Sequence, residues 1–256
     1  MVSPLTIVFL ILTGIVSLAL PIVVLIYVRQ KWGVSWRAMI VGVLVFIVFS
    51  QVLEKALHVY VLMINDTTAE WLKNPYWYAL YGGLAAALFE EFGRLVGFRY
   101  FLKNQRTFTD GLSYGIGHGG IEAWLVGALA TVQFTAFAIL INTGGFAPLV
   151  ASAGPGASQL LAVKDQLLHT SPFTALLGAF ERIFAFTLQL ALSLLVLKAV
   201  RTRRKVYFAA AVLIHAAVDF IAALGQKLSF SLWLIEGFLF IVAVVAALWI
   251  NSEKTS

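Results

Sequence analysis

Glu90 and Glu91 are adjacent, and Arg94 follows one helical turn later, inside a segment from Trp77 to Phe101 that is otherwise apolar enough to span a bilayer. Each such charge near the centre of a membrane helix costs roughly 2.5 to 3.5 kcal/mol on insertion scales, so the three must be paired or used. Other apolar segments are interrupted in the same way, by Glu54, Lys55, His58, His118, Glu122, Glu181, Arg182, His215, Asp219 and Glu236. Glu54/His58, Glu90/Arg94, His118/Glu122 and His215/Asp219 are each four residues apart, which sets each pair on one helix face. Lipid cannot solvate them. They are expected to turn inward, toward one another or toward a water-filled cavity.

These residue types suit hydrolysis. A carboxylate can take a proton from water, a histidine can orient that water or donate to a developing oxyanion, and an arginine can hold a second carboxylate ionised. The same set also suffices for a proton relay. Each element has a purely structural reading too: Glu90/Arg94 as an ion pair, His118 in GIGHGG as a packing histidine, His215/Asp219 as an interhelical contact. Depth favours the joint reading. Counted from the cytoplasmic helix ends, Glu90, His118 and His215 each lie roughly 12 to 18 Å in, a common level at which three helices can converge. Glu54 and Glu181 fall nearer the outer side and read as supporting pairs, while Glu236 has no nearby partner in sequence.

The elements that must position these residues follow from composition. The chain has 256 residues, 61% of them hydrophobic and only 12% charged, with a mean hydropathy of +0.93. Those values predict an all-α polytopic membrane protein and exclude an ordinary soluble domain. Apolar runs of bilayer length fall near 5–28, 38–63, 76–101, 109–142, 173–198, 206–225 and 229–250, giving seven expected spans in a single domain over 1–256. No Lys or Arg precedes the first run, which therefore reads as a span and not a cleaved signal.

One set of alternate connections and ends carries Arg29, Lys31, Arg37, Arg99, Lys103, Arg106, Lys198, Arg201, Arg203, Arg204, Lys205 and Lys254. The other carries Lys73, Lys164 and Lys227. That asymmetry predicts an outer amino terminus and a cytoplasmic carboxyl terminus. It also accounts for the net charge of +6 without nucleic acid. The long outer connection from Asn142 to Pro172 reads as a flexible loop, with an interfacial segment containing one short helix as the alternative.

Absent motifs narrow the chemistry. There is no cysteine, so thiolate metal sites, disulfides and cysteine nucleophiles are excluded. There is no HExxH helix, although His118, His215 and a glutamate keep zinc open as a second choice. No GxGD motif is present. GLSYG at Gly111–Gly115 matches GxSxG, but Ser113 stands near the start of its helix just after Asp110, where serine is ordinary helix-end chemistry.

In chain order, EEFGR (Glu90–Arg94), GHGGIE (from Gly117 to Glu122), Glu181–Arg182 and HAAVD (His215–Asp219) resemble the YhfC family of intramembrane proteases. That family is similar to the wider glutamic-type group of CAAX prenyl proteases and bacteriocin-processing enzymes. The resemblance runs from the third expected span to the sixth. It implies that Glu90/Glu91 supply the general base, that Arg94 fixes one carboxylate, that His118 helps orient the water, and that His215 with Asp219 stabilises the oxyanion. Glu122, Glu181 and Arg182 belong to the narrower family pattern as supporting residues.

Two departures matter. The spacing here is EExxR where the wider group has EExxxR, which leaves open which glutamate is the base. Asp219 stands where the wider group often has asparagine. The implied activity is hydrolysis of a peptide bond in or near the membrane of an embedded peptide or protein, without a cofactor or alternatively with zinc, in a bacterial plasma membrane. A proton-coupled transporter or a non-catalytic scaffold are the rival classes. The absence of an inverted repeat or a broken helix in corresponding halves argues against transport.

Overall fold

The protein is described here by a computed structural model, over residues 1–254. All regular structure among those residues is helical, as a backbone in hydrocarbon requires if its N–H and C=O groups are to be satisfied within each segment. The helices are α1 (Pro4–Trp32), α2 (Trp36–Ile64), α3 (Asp66–Trp71), α4 (Pro75–Val96), α5 (Phe108–Thr143), α6 (Phe146–Ser152), α7 (Ala157–His169), α8 (Pro172–Thr202), α9 (Lys205–Lys227) and α10 (Leu232–Glu253). Six of them, α1, α2, α5, α8, α9 and α10, are long and apolar enough to cross a membrane.

Outward-facing residues are apolar where lipid would cover them. Ile11, Ile15, Leu18 and Ile22 line one such face on α1, and Ile241, Val245 and Leu248 another on α10. The chain is a polytopic all-α membrane protein. At the third expected span, α4 has 22 residues, about 33 Å at the helical rise. It is not among the six, opening on Tyr76, Trp77 and Tyr78 and carrying Glu90, Glu91 and Arg94.

Local sequence sets the ends of the helices that matter. The Asn74 side chain accepts from the N–H groups of Tyr76 and Trp77, and Pro75 occupies the first turn, so α4 starts sharply. At α5, Thr107 and Asp110 form a reciprocal cap: the Thr107 N–H donates to Asp110 Oδ2 at 2.9 Å and the Asp110 N–H to Thr107 Oγ1 at 3.2 Å. Four π-helical stretches interrupt the α pattern, at Ile47–Glu54, Tyr60–Ile64, Gly97–Phe101 and Ala123–Ala128. Such stretches frequently accompany functional sites.

The chain forms two compact units, each with its own core. One comprises Met1–Leu20 and Glu122–Ile183; the other comprises Pro21–Ile121 and the chain from Phe184 onward. In the first, Val2, Leu10, Ala138, Leu167 and Ala175 form the core. The Asn142 side chain there exchanges hydrogen bonds with the Val2 backbone at 2.8 and 2.9 Å. The long connection from Asn142 to Pro172 is more ordered than its glycine and proline content suggests. It folds into α6, a single 3₁₀ turn at Gly154–Gly156, and α7, with Phe146 and Leu167 buried.

In the second unit, glycines bring helix backbones into contact. A Cβ on Gly117 of α5 would lie 2.0 Å from the Met39 carbonyl oxygen of α2, and one on Gly42 of α2 would lie 2.3 Å from the Tyr114 carbonyl oxygen of α5. Gly83 of α4 meets Ala216 and Phe220 of α9 in the same way, at 2.6 Å and 2.9 Å. Backbone atoms cannot yield as a side chain can, so these helices approach only because the residues are small. Gly117→Ala and Gly42→Ala are each expected to cost at least about 1–3 kcal/mol as overpacking, read as a lower melting temperature of the purified protein. Gly82→Ala, with nothing within 4 Å of its Cβ, should leave melting no lower.

Candidate active site

The last turns of α4 direct Glu90, Glu91 and Arg94 into the core of the second unit, where Glu91 and Arg94 are wholly buried and Glu90 nearly so. Arg94 holds both carboxylates. Its Nη1 donates to Glu91 Oε1, and its Nη2 lies 3.3 Å from Glu90 Oε2. The same guanidinium donates to Gln189 Oε1, and through Nε to Ser193 Oγ at 3.4 Å, both on α8. A planar five-donor fork is the group suited to such a cluster, because it can serve several acceptors without deprotonating.

Two histidines close the cluster from other helices. His118 of α5 places Nε2 3.0 Å from Glu90 Oε2, and His215 of α9 places Nδ1 2.7 Å from Glu91 Oε1. Glu90 Oε2 also accepts from Gln189 Nε2 at 3.1 Å. The ring of His118 is walled by Phe46, edge-on at 5.1 Å, and by Tyr114, stacked at 6.0 Å. Beyond His215, its Nε2 faces Asp219 Oδ2 at 3.5 Å. Asp219 is 39% exposed and lines a cavity of about 350 Å³ together with His58, Tyr78, Tyr81 and Gln226. A polar chain therefore runs from the buried Glu91 through His215 and Asp219 to open space.

The neighbouring glutamates differ in their histidine partners and in their enclosure. Glu91 Oε1 is engaged by both Arg94 and His215, and the residue is fully enclosed. Glu90 uses Oε2 for all three of its contacts, which leaves Oε1 without a hydrogen bond among the described residues. Glu91 Oε2 and His118 Nδ1 are buried and lack a hydrogen-bond partner among the described residues. Unsatisfied buried polar atoms are rare in folded proteins and concentrate where a ligand, an ion or chemistry uses them.

The donor set also suits a metal. Two ligand atoms each about 2.0 Å from a tetrahedral zinc lie about 3.3 Å apart, close to the 3.0 Å between Glu90 Oε2 and His118 Nε2. Glu122 ends the same α-helical run as His118, one turn on and on the same face. Within the second unit, the His118 imidazole and the Glu90 carboxylate are thus available as ligands.

The remaining sequence candidates fall elsewhere. Glu181 and Arg182 pair with each other in the first unit. Glu54 and His58 form a pair at 3.2 Å on α2, and His58 Nδ1 lies 2.8 Å from the Tyr81 hydroxyl. Ser113 accepts the Ser35 N–H at 3.0 Å, a structural use at the start of α2. Gln189 and Ser193 escaped an inventory confined to ionisable residues. Their four-residue spacing in the apolar run LQLALS is the signal that would have found them.

Removing Arg94 would leave two buried carboxylates side by side. Arg94→Met is expected to destabilise the protein by about 3–5 kcal/mol, the cost of breaking a buried ion pair from one side. Arg201→Met, at an exposed position, should leave thermal unfolding in detergent unchanged. Equal melting of the two variants would contradict a structural role for the Arg94 cluster.

A family model described as "YhfC intramembrane metalloprotease" matches residues 16–239. The "Uncharacterized membrane protein YhfC" of Bacillus subtilis (strain 168) is 41% identical over 260 aligned positions, covering 99% of this chain and 98% of that protein. No solved structure matches. On the family model and this relative, which both run through the helices that carry Glu90, His118 and His215, the chain belongs to the YhfC family.

Proposed function

We propose that the protein is an intramembrane peptidase of a bacterial plasma membrane, and that Glu90, Glu91, Arg94, His118, His215 and Asp219 form its catalytic centre. In this reading α4 is a seventh span, the amino terminus is outside, and the whole chain works as one catalytic body. The observation that carries the proposal is the meeting of two carboxylates, one arginine and two histidines from three separate helices in a buried cluster. That is a costly arrangement to keep in a membrane for structure alone.

Glu90 is assigned as the base because its unbonded Oε1 belongs to a carboxylate that keeps some exposure, whereas the unbonded Oε2 of Glu91 is wholly enclosed. His118 donates through Nε2–H to Glu90 Oε2 and so holds that carboxylate with Oε1 left to accept from a water molecule. Glu90 takes a proton from that water while the oxygen attacks the peptide carbonyl carbon. The same carboxyl then returns the proton to the departing amine nitrogen as the C–N bond breaks. Glu91, held by Arg94, keeps His215 in position, and His215 backs Asp219, which lines the cavity from which a substrate carbonyl would approach. Proton donation there would stabilise the developing oxyanion.

A metal-dependent form of the same hydrolysis has its own support in the donor set and in the family's description. Glu90 and His118 are residues that would hold zinc, and zinc when bound supplies Lewis-acid polarisation of a carbonyl.

In cells expressing either the wild-type protein or Glu90→Gln, new amino termini among membrane proteins should identify a cleaved substrate. With that substrate and purified protein, Glu90→Gln should lower turnover by about 10²- to 10⁴-fold while still showing a cooperative melting transition. Normal cleavage by the separate Glu90→Gln and Glu91→Gln variants would refute the mechanism. Chelation divides the two forms: cleavage lost to a chelator and restored by zinc marks the metal-dependent one, and unaffected cleavage marks the metal-free one.

A further inference from the structure

A second concave site lies away from the carboxylate cluster, where the π turn after α4, the end of α8 and the start of α9 meet. It is a cavity of about 530 Å³ whose lining includes Arg99, Arg106, Arg203 and Lys205 beside Val200 and Phe208, and no carboxylate. Charge asymmetry across a membrane asks only that cations lie near one surface. It does not ask that four of them converge on one hollow, where like charges raise the local potential.

Three further observations point the same way. Arg106 Nε is buried and has no hydrogen-bond partner, while its Nη2 reaches the Phe98 carbonyl only at 3.5 Å. α9 begins at the hollow with no side-chain cap and no acid in its first turn, so the positive end of its dipole adds to the cations. Arg203 holds a φ of 58° in the short link between α8 and α9, a left-handed conformation that favours glycine. Strained backbone of this kind gathers where a ligand is clamped.

The geometry points to a binding site for a phosphate-bearing amphiphile, an anionic phospholipid whose phosphate is held among Arg99, Arg106, Arg203 and Lys205 beside the apolar wall of Val200 and Phe208. Guanidinium forks match phosphate oxygens in pairs, and basic pockets between membrane helices suit lipid headgroups. The apolar wall selects a ligand with a chain over a free ion. The site is independent of the proposed catalysis, and its test needs no peptide substrate.

The test titrates the purified full-length protein in detergent with dioctanoyl phosphatidylglycerol, dioctanoyl phosphatidylcholine and inorganic phosphate, read by calorimetry and native mass spectrometry. Phosphatidylglycerol should bind saturably, phosphatidylcholine should not, and inorganic phosphate should bind far more weakly. Arg203→Gly and Arg106→Gln should each weaken phosphatidylglycerol binding about fivefold, and together about 25-fold. Arg203→Gly removes a charge while relieving the backbone, so its melting temperature should hold or rise. That variant alone decides the matter if Arg106→Gln fails to fold. Phosphatidylglycerol binding untouched by Arg203→Gly, or equal retention of phosphatidylcholine, would overturn the site. Inorganic phosphate binding as tightly as the lipid would overturn the lipid assignment in favour of a soluble anion.

Discussion

The guanidinium of Arg94, enclosed between Glu90 and Glu91, is the interaction on which the rest of the second unit depends. Three charges in a low-dielectric interior are tolerable only when each has partners at hydrogen-bond distance, because desolvation otherwise exceeds any gain from burial. That condition reaches beyond α4. It calls for Gln189 and Ser193 from α8, His118 from α5 and His215 from α9, each supplying a donor or acceptor the others lack. Four helices are thereby tied to one cation.

Such a cluster can form only if the helices come close, and this is where the glycines matter. Gly42 and Gly117 let α2 and α5 touch along their backbones, and Gly83 does the same for α4 and α9. In a bilayer no hydrophobic drive separates helix from lipid, so close packing and polar contacts must hold helices together. The polar centre and the small-residue contacts answer the same need. His118 illustrates it: its neighbour Gly117 admits the α2 backbone, and Phe46 from α2 then walls its ring.

Much of the site was legible because helical periodicity is a local property. The pairs Glu54/His58, Glu90/Arg94 and His215/Asp219 sit four apart in sequence and lie within 3.2 to 3.5 Å in the fold. The common depth estimated for Glu90, His118 and His215 agrees with their contacts through two adjacent carboxylates. Gln189 was not legible to a search for charges, since an uncharged amide stands out only once its carboxylate and guanidinium partners are known. The outer connection likewise hid α6 and α7, whose glycines and proline suggest a loop while Phe146 and Leu167 find burial.

The sequence by itself determined the membrane class, the helical state of the apolar runs and the helix faces on which the ionisable residues fall, because hydropathy and a 3.6-residue period act within a single segment. Only the tertiary structure decided which glutamate Arg94 and His215 enclose and which meets His118 and keeps some exposure. Adjacent residues on a helix diverge by about 100°, and no local rule says which direction meets α9 and which meets α5. That choice belongs to the packing of helices far apart in the chain.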